Sequence, residues 1–363
     1  MPPPTASPWD YFAELPDPRR AQGRRHKLRD ILTIARCAVV CGAADFSGIE
    51  EFGQTRAAWL RQALDLPHGI PSHDAFGRVF AALDPAAFGR CFMGWVREVA
   101  ELRAGAVGAS AGKALRRSYD AAAGCAAIEL VSAWARENRL TLGQVKVAGG
   151  SNRITAVPEL LRVLARKGCV VTADALDRQQ EIAAEIRRRG GDYVLALKGN
   201  HGRSHERVAQ FFASARGGRT DGFHIGERTS VEQEGGRIEG RHFWRGDARE
   251  DLTGGEWVGL QTVGPCEAAR AVEGQVPAHR RSYLSSLPVE AEKFSAAVRG
   301  HRAAENSCHW VSDVTFGEGD ARVRVGHAAE NFALLRRLVN NLLQRERSVK
   351  RGGEGQTAES RTG

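Results

Sequence analysis

The stretch RGHRAAENSCHWVSDVTFGEGDARVRVGHAAENFALLRRLVNNL, residues 299–342, has a polar first half and an apolar second half. In the first half Glu305, His309 and Asp313 are spaced four residues apart, which places them on one stripe if the segment is helical. A carboxylate and an imidazole on one helical face can bind a divalent metal ion or transfer a proton. The same spacing also fits a solvated polar face, so the pattern leaves both interpretations open.

The second half of this stretch repeats large apolar residues at helical spacing. Phe332, Leu335, Leu338 and Leu342 fall three or four residues apart. This spacing predicts a helix whose apolar stripe packs into the core of the protein rather than against a partner.

Composition sets the limits within which this stretch is interpreted. The chain has 363 residues, which corresponds to two or three domains at roughly 150 residues each. It carries 52 Lys and Arg against 43 Asp and Glu, a net charge of +9. Such a balance fits a surface that binds a polyanion, although many Arg-rich soluble proteins share it.

Neither the cysteines nor the apolar segments indicate secretion or a membrane. The seven cysteines are scattered and form no CxxC pair, which predicts reduced thiols in a cytoplasmic protein. The opening MPPPTASPWDYF lacks the pattern of a signal peptide. The most apolar run, residues 31–44, contains Arg36 and is too short to cross a bilayer.

The first hundred residues have a helical pattern. A Pro-rich arm over residues 1–15 precedes a basic run over 16–30. Such a run is either a solvated face or a grip on a DNA backbone, and the arginines that could contact phosphates are Arg19, Arg20, Arg24 and Arg25. Apolar periodicity then predicts helices over 28–43, 47–64, 73–83 and 86–103. Together these features predict a helical N-terminal domain over residues 16–104, associated with DNA binding.

From residue 105 the pattern changes to alternating strands and helices. Strands are predicted over 106–111, 126–135, 140–147, 169–175 and 193–199, the second and third forming a hairpin. Helices are predicted over 155–166, 177–189 and 203–216. This order predicts an α/β fold with a mixed sheet, whose first part covers residues 105–216.

The remainder of the chain divides into three further segments. Residues 217–289 read as a β-rich insertion with strands over 223–232, 238–245, 256–263 and 281–287. Residues 290–345 return to helices and complete the α/β core, whereas the polar, Gly-rich tail over 346–363 has the composition of a disordered segment.

Polar side chains follow two of the predicted strands. Asp174 comes where the strand VVTA ends, a position at which open α/β sheets place ligand chemistry. An N-cap for the next helix explains it equally well. Lys198 and Asn200 follow the next strand and would lie beside Asp174 if the two strands are neighbours.

Six ordered motifs together resemble one known family. They are GIPSHDAFGRVFAALDP (69–85), LVSAWARENRLTLGQVKV (130–147), VVTADALDRQQEIA (170–183), GDYVLALKGNHG (191–202), YLSSLP (283–288) and the stretch from Glu305 onward. In this order they resemble the ISAs-type, or H-repeat-associated, insertion-sequence transposases, a branch of the DDE transposases. The resemblance runs from about residue 16 to residue 345.

The resemblance implies an RNase H-like fold with a two-ion metal site. In that family three acids hold Mg²⁺ or Mn²⁺ for DNA strand cleavage and strand transfer, and hard oxygen ligands suit both ions. Asp174 matches the second acid and Glu305 the third. Lys198, Asn200, His309 and Asp313 are candidate supporting groups for phosphate or for the metal ligands.

The first acid of the family pattern is missing. Where the family has Asp-Gly-Lys, this chain has Ala111, Gly112 and Lys113, and alanine offers no oxygen to a metal. Lys113 is retained and could contact phosphate. The glycines in AGGSNR (148–153), together with Arg302 and Ala304, also depart from the family pattern. These departures predict impaired catalysis, as in a decaying or a deliberately inactivated copy.

Three functions follow from these observations. The first is a transposase of a bacterial insertion sequence, impaired because Ala111 replaces the first acid. The second is a DNA-binding remnant without chemistry, which occupies element ends or inhibits an active transposase. The third, an RNase H-like nuclease or RNA-binding protein, lacks a complete acidic set and stacking motifs. The first two imply double-stranded DNA as partner, at element ends and target, leave a homodimer open, and involve no membrane.

Overall fold

The chain folds as two units, which are described separately. The computed structural model describes residues 7–100, 107–115, 118, 128–135, 139–147, 160–161, 167–173, 179–197, 202–216, 225–234, 237–248, 257–270, 278–289, 291–304 and 310–346. One unit, here the helical unit, comprises Met1–Glu101, Gly112–Asn152 and Ala304–Gly363. The other, here the sheet unit, comprises Leu102–Ala111 and Arg153–Ala303.

The helical unit contains the helices that the sequence predicts. The predicted ones are α2 (Leu28–Val40), α3 (Phe46–Thr55), α4 (Ala57–Leu60), α5 (His73–Ala82) and α6 (Pro85–Val99). Before them, α1 (Pro8–Phe12) and a 3-10 turn at Ala21–Gly23 lie where the sequence predicted a Pro-rich arm and a basic run, not helices. The predicted helix over 47–64 is divided at Arg56, and its last four residues are not helical.

Side-chain caps fix where several of these helices begin. The carboxylate of Asp45 accepts a hydrogen bond from the Gly48 N–H, and Asp84 accepts from the N–H groups of Ala86 and Ala87. Such caps satisfy backbone donors that lack an intrahelical partner. Pro85 occupies the first position of α6, where its missing N–H costs nothing.

A hairpin and two C-terminal helices complete the helical unit. Strands β2 (Ile128–Ala135) and β3 (Leu140–Val147) pair antiparallel, which confirms the predicted hairpin. The short α10 (Val311–Val314) and the long α11 (Ala328–Arg345) follow near the end of the chain. Helix α11 packs against α2, α5, α6 and β3, and Phe332, Leu335 and Leu338 are buried as predicted.

The sheet unit contains a large mixed sheet. In chain order its strands are β1 (Val107–Leu115, whose first five residues belong here), β4 (Val170–Ala173), β5 (Asp192–Leu197), β6 (Ile225–Glu234), β7 (Arg237–Asp247), β8 (Thr262–Arg270) and β9 (Ala278–Ser285). Their order in the sheet is β1-β4-β5-β9-β8-β7-β6. The first three are parallel and the remainder pair antiparallel, so β9 links residues 217–289 directly to β5.

Helices cover both faces of this sheet. They are α7 (Gln179–Arg188), α8 (Gly202–Arg216) and α9 (Ala291–Ala304). Neighbouring residues of a strand point to opposite faces. Tyr283 of β9 accordingly belongs to a core cluster with Phe294 of α9, whereas the next residue, Leu284, belongs to a cluster with Phe212 of α8.

Two of the strand predictions require correction. The strand predicted over 256–263 is wrong for residues 257–261, where the Leu260 N–H donates to the Trp257 carbonyl in a turn and Gly259 has a φ of 69°. A φ in that region suits glycine and breaks an extended strand. Strand β1 continues to Leu115 instead of ending at residue 111. Of the helix predicted over 155–166, only residues 160–161 are described, and both are helical.

Among the helices of the described ranges, none combines the length and the apolar composition that crossing a bilayer requires.

Candidate active site

The carboxyl ends of three parallel strands form one edge of the sheet unit. In the register of the sheet Ser110 of β1 is opposite Ala173 of β4, and Ala173 is opposite Leu195 of β5. Strands β4 and β5 are therefore neighbours, which is the condition on which Lys198 and Asn200 were expected to lie beside Asp174. These three residues fall outside the described part of the chain, so their placement stays a prediction.

Ala111 and Lys113 both belong to β1. The backbone of Ala111 continues the strand directly after Ser110, the residue opposite Ala173. In the sequence, the residues that follow this pair are Ala111 on one strand and Asp174 on the other. Position 111 therefore lies on the strand next to the one that Asp174 follows.

A buried hydrogen bond joins β4 to α9 inside the sheet unit. The Thr172 Oγ1 lies 3.0 Å from the His301 Nδ1, and it also donates to the Gly108 carbonyl at 3.4 Å. Thr172 and His301 are 1% and 4% exposed. Thr172 precedes Asp174 by two residues and His301 precedes Glu305 by four. This contact thus fixes the two elements that lead into the predicted metal ligands.

The stretch that begins at Glu305 is described only in part. Helix α9 ends at Ala304, and residues 305–309 lie outside the described ranges, so Glu305 and His309 stay predictions. Asp313 lies on α10 and is exposed. The predicted stripe of Glu305, His309 and Asp313 is therefore represented by its last member alone.

Arg337, which the sequence analysis did not single out, binds two residues downstream of Glu305. The Arg337 guanidinium on α11 donates to the Ser312 hydroxyl and to the Glu318 carboxylate, the latter at 2.8 Å. The Arg337 and Glu318 side chains are 1% and 0% exposed. The sequence contains one sign of this contact: Arg336 and Arg337 interrupt the leucine repeat of a core helix. Arginine is almost never fully buried unless it is paired.

Helix α11 makes further polar contacts within the helical unit. Asn331 donates to the carbonyls of Phe80 and Leu83, both at 2.9 Å. Arg336 donates to the Ala44 carbonyl at 2.7 Å and stacks on the Phe332 ring. Burial lowers the pKa of Arg336 to about 10. These contacts attach the C-terminal helix to the N-terminal helices by directional bonds as well as by apolar packing.

The four arginines predicted to contact DNA fall into two pairs. Arg19 forms a bidentate pair with Asp17 and also donates to the His26 carbonyl, whereas Arg24 donates to the Arg19 carbonyl. Burial tends to raise the pKa of Asp17, but its bonds with Arg19 outweigh this and lower it. Arg19 and Arg24 thus stabilise the loop before α2.

The other two arginines of this loop have a different environment. Arg20 and Arg25 are exposed, and within the described part of the chain neither forms a hydrogen bond or an ion pair. Exposed guanidinium groups are suitable contacts for phosphate. Arg20 and Arg25 are therefore better candidates for the DNA backbone than Arg19 and Arg24.

The described residues contain no group of three or more His, Cys, Asp and Glu side chains that could hold a metal ion. Asp174 and Glu305 do not belong to the residues searched. The predicted donor set therefore consists of two carboxylates from outside the described ranges and of Ala111, which has no donor atom.

The sequence matches two protein-family models and several known proteins. A family model described as "Transposase DDE domain" matches residues 101–342, and one described as "DDE_Tnp_1-associated" matches residues 9–96. The chain is 36% identical over 351 residues to "H repeat-associated putative transposase YhhI" of Escherichia coli (strain K12), an alignment that covers 94% of this chain and 92% of the relative.

Two other relatives align over different shares of the chain. "Uncharacterized protein in dhlA 3'region" of Xanthobacter autotrophicus is 41% identical over 284 residues, which are 77% of this chain and 94% of the relative. "Inactive transposase YbfQ" of Escherichia coli (strain K12) is 43% identical over 70 residues, which are 19% of this chain and 83% of the relative.

Proposed function

Because the chain belongs to the DDE transposase family, whose members act on DNA and use divalent metal ions, we propose that it is an insertion-sequence transposase with an impaired active site. Its reaction class is cleavage and transfer of DNA strands. Asp174 and Glu305 are the remaining metal ligands. The large mixed sheet, with parallel strands β1, β4 and β5 and helices on both faces, supports an RNase H-like core.

The observation that carries this proposal is the hydrogen bond between Thr172 and His301. It holds β4 against α9 at a point two residues before Asp174 and four residues before Glu305. Two or four residues of chain span only about 7–14 Å even when fully extended. The bond therefore joins the two elements after which Asp174 and Glu305 follow, while the assignment of both carboxylates to one site rests on their match to the family motifs.

The chemistry of the donor set fits a metal ion at two of the three acid positions. When bound, Mg²⁺ or Mn²⁺ would activate the attacking oxygen and neutralise the leaving one. Asp174 and Glu305 supply hard carboxylate oxygens of the kind that both ions prefer. Lys198, Asn200, His309 and Asp313 would orient the phosphate or the ligands. The third position is Ala111, so the two-ion site is incomplete.

Loss of one member of a catalytic set is costly. Removing a residue that acts as part of a unit lowers the rate by roughly 10⁴-fold to 10⁶-fold. Ala111 continues the strand beside Ala173 and cannot ligate an ion. The unmodified protein is therefore expected to cleave DNA far more slowly than a family member with three acids.

A second candidate is a DNA-binding protein without chemistry. Two observations favour it: alanine at position 111, and exposed Arg20 and Arg25 in the basic loop. The similarity to a relative named as an inactive transposase points in the same direction. Such a protein occupies element ends or joins an active oligomer and inhibits it.

Mn²⁺-dependent nicking of DNA that carries the element's ends distinguishes the two candidates. The comparison uses the unmodified protein, Ala111→Asp, Ala111→Asn as a control of similar size without charge, and Ala111→Asp combined with Glu305→Ala. Nicking by Ala111→Asp alone supports an intact scaffold that lacks one ligand. Nicking by the unmodified protein would contradict the impairment. Binding of element ends without nicking by any variant supports the second candidate.

A further inference from the structure

An open apolar cavity lies within the helical unit, formed by residues that the proposed active site does not use. Its volume is about 310 Å³, and α2, α3, α4 and the end of α11 line it. The apolar lining includes Cys37, Val40, Phe52 and Leu342, all of them partly exposed. The Trp59 ring at its edge is 55% exposed.

Two cations belong to the same lining. Arg36 and Arg56 both border the cavity. The Arg36 guanidinium lies 4.6 Å from the centre of the Trp9 ring, a cation–π contact that orients the charged group. An occupant of this cavity therefore meets an aromatic surface together with positive charge. This combination suits a planar aromatic group that carries an anionic neighbour.

A second, more polar cavity adjoins the first. Its volume is about 500 Å³, and it shares Cys41, Phe52 and Arg56 with the apolar cavity. Glu51 and Thr55 contribute polar side chains to its lining, which also includes residues 42–44. The two cavities form a groove that is apolar at one end and polar at the other, with Arg56 between them.

Size and polarity restrict what this groove can hold. Ligand pockets span roughly 300–1,000 Å³, so the apolar end is at the lower limit and suits one planar ring system rather than the apolar face of a helix. The carboxylate of Glu51 disfavours an anion at the polar end, which leaves the arginines as the site for a negative charge.

We propose that this groove, here the nucleotide groove, binds one unpaired nucleotide of a DNA strand. The base stacks on Trp59 and Phe52, and Arg36 and Arg56 contact the adjoining phosphates. Stacking of bases on aromatic side chains beside cationic groups is how proteins bind single-stranded DNA. The inference rests on the DNA partner of the proposed function but not on cleavage, because none of the residues that line the groove belongs to the proposed catalytic set.

Fluorescence anisotropy without metal tests the groove separately from catalysis. The probes are a labelled duplex with one unpaired base and the same duplex fully paired, measured with EDTA present so that no strand is cut. The unmodified protein is expected to bind the unpaired probe roughly tenfold more tightly, because one additional base stacks on aromatic side chains. Tenfold corresponds to about 1.4 kcal/mol. Trp59→Ala is expected to remove this preference while binding to the paired probe remains.

Three further variants make the result specific. Trp59→Phe keeps an aromatic surface and is expected to restore most of the preference. Trp310→Ala removes an equally exposed tryptophan, 56% exposed against 55%, and is expected to leave the preference intact. Arg25→Ala is expected to weaken binding of both probes to a similar extent, as loss of a phosphate contact does.

The outcomes separate this inference from the proposed function. Equal binding of the two probes would contradict nucleotide binding by the groove. So would a preference that survives Trp59→Ala or disappears with Trp310→Ala. Each of these results leaves the transposase proposal unaffected. No binding to either probe overturns the DNA partner itself. Self-association that Trp59→Ala abolishes, with no preference for the unpaired probe, assigns the groove to a second copy instead. Failure of Ala111→Asp to restore nicking affects only the catalytic proposal.

Discussion

Helix α9 and the pair α10 and α11 adjoin opposite ends of the segment that contains Glu305, and the two regions are held by different forces. Helix α9 packs on its sheet through Phe294, Ala297 and Val298, with the bond between Thr172 and His301 as a polar addition. In the helical unit, Arg337 of α11 donates a buried hydrogen bond to Ser312 of α10 and forms a buried ion pair with Glu318, which follows α10. The first region is held mainly by apolar packing, whereas the second adds a buried ion pair to its apolar packing.

The two kinds of contact differ in how strongly their stability depends on precise geometry. Apolar packing tolerates small shifts, whereas a buried ion pair is favourable only if its hydrogen bonds have good geometry. Burying Arg337 and Glu318 costs desolvation free energy that an apolar pair would not require. We therefore expect Ser312 and Glu318 to be held more precisely than the residues of α9.

The largest expected effect comes from breaking the ionic contact. Arg337→Met leaves the Glu318 carboxylate buried without its partner and is expected to lower the free energy of unfolding by about 3–5 kcal/mol. The double variant Arg337→Met with Glu318→Leu removes both charges and is expected to recover most of that loss. Urea unfolding monitored by circular dichroism measures both values.

An exposed pair on α7 provides the matched control. Arg188→Met breaks the contact between Arg188 and Glu185 on the surface. Such a change is expected to cost no more than about 1 kcal/mol. If Arg337→Met costs as little as Arg188→Met, the contacts of Arg337 with Ser312 and Glu318 do not stabilise this region, and the contrast between the two regions is lost.

A smaller effect is expected from the polar bond of α9. Thr172→Val keeps the shape of the side chain but removes the hydroxyl beside His301, and it is expected to lower the free energy of unfolding by about 1–3 kcal/mol. Thr229→Val is the control, because Thr229 lies 3.3 Å from His242 at an exposed position. The control is expected to change stability by less than about 0.5 kcal/mol. Equal losses in the two variants would mean that burial does not strengthen the bond.

The smallest expected effect is the pH dependence of the ion pair between Glu50 and His73. The Glu50 carboxylate lies 2.7 Å from the His73 Nδ1 and also accepts from the His73 backbone N–H. Hydrogen bonds from His73 lower the pKa of Glu50 from its ordinary 4.5, and the bond with Glu50 raises the pKa of His73 from its ordinary 6.5.

These shifts fix the sign of the pH dependence. The contribution of His73 is complete below pH 6.5 and is lost as the pH rises through its raised pKa. The contribution of Glu50 is complete above pH 4.5 and is lost as the pH falls through its lowered pKa. Melting temperatures of the unmodified protein relative to His73→Gln are therefore expected to peak between these values. His279→Gln, at an exposed position of the sheet unit, should leave the profile unchanged.

Local patterns in the sequence predicted most of the helices and strands. Apolar periodicity identified the helices α2, α3, α5 and α6 that the structure confirms, and partial alternation identified the hairpin of β2 and β3. The caps formed by Asp45 and Asp84 were found only in the structure. The strand expected over 256–263 failed because one glycine, Gly259, adopts a left-handed conformation that alternation does not reveal. The predicted ligands Asp174 and Glu305 remain predictions.

The sequence by itself determined the family, the missing acid at position 111 and the helical and strand segments, because these depend on residue identity and local spacing. Only the tertiary structure decided that Arg337 meets Ser312 and Glu318, that Thr172 meets His301, and that Trp59 borders a cavity with Arg36 and Arg56. Such contacts join residues far apart in the chain. Their partners are selected by packing and by the need to satisfy buried polar groups, which no local pattern encodes.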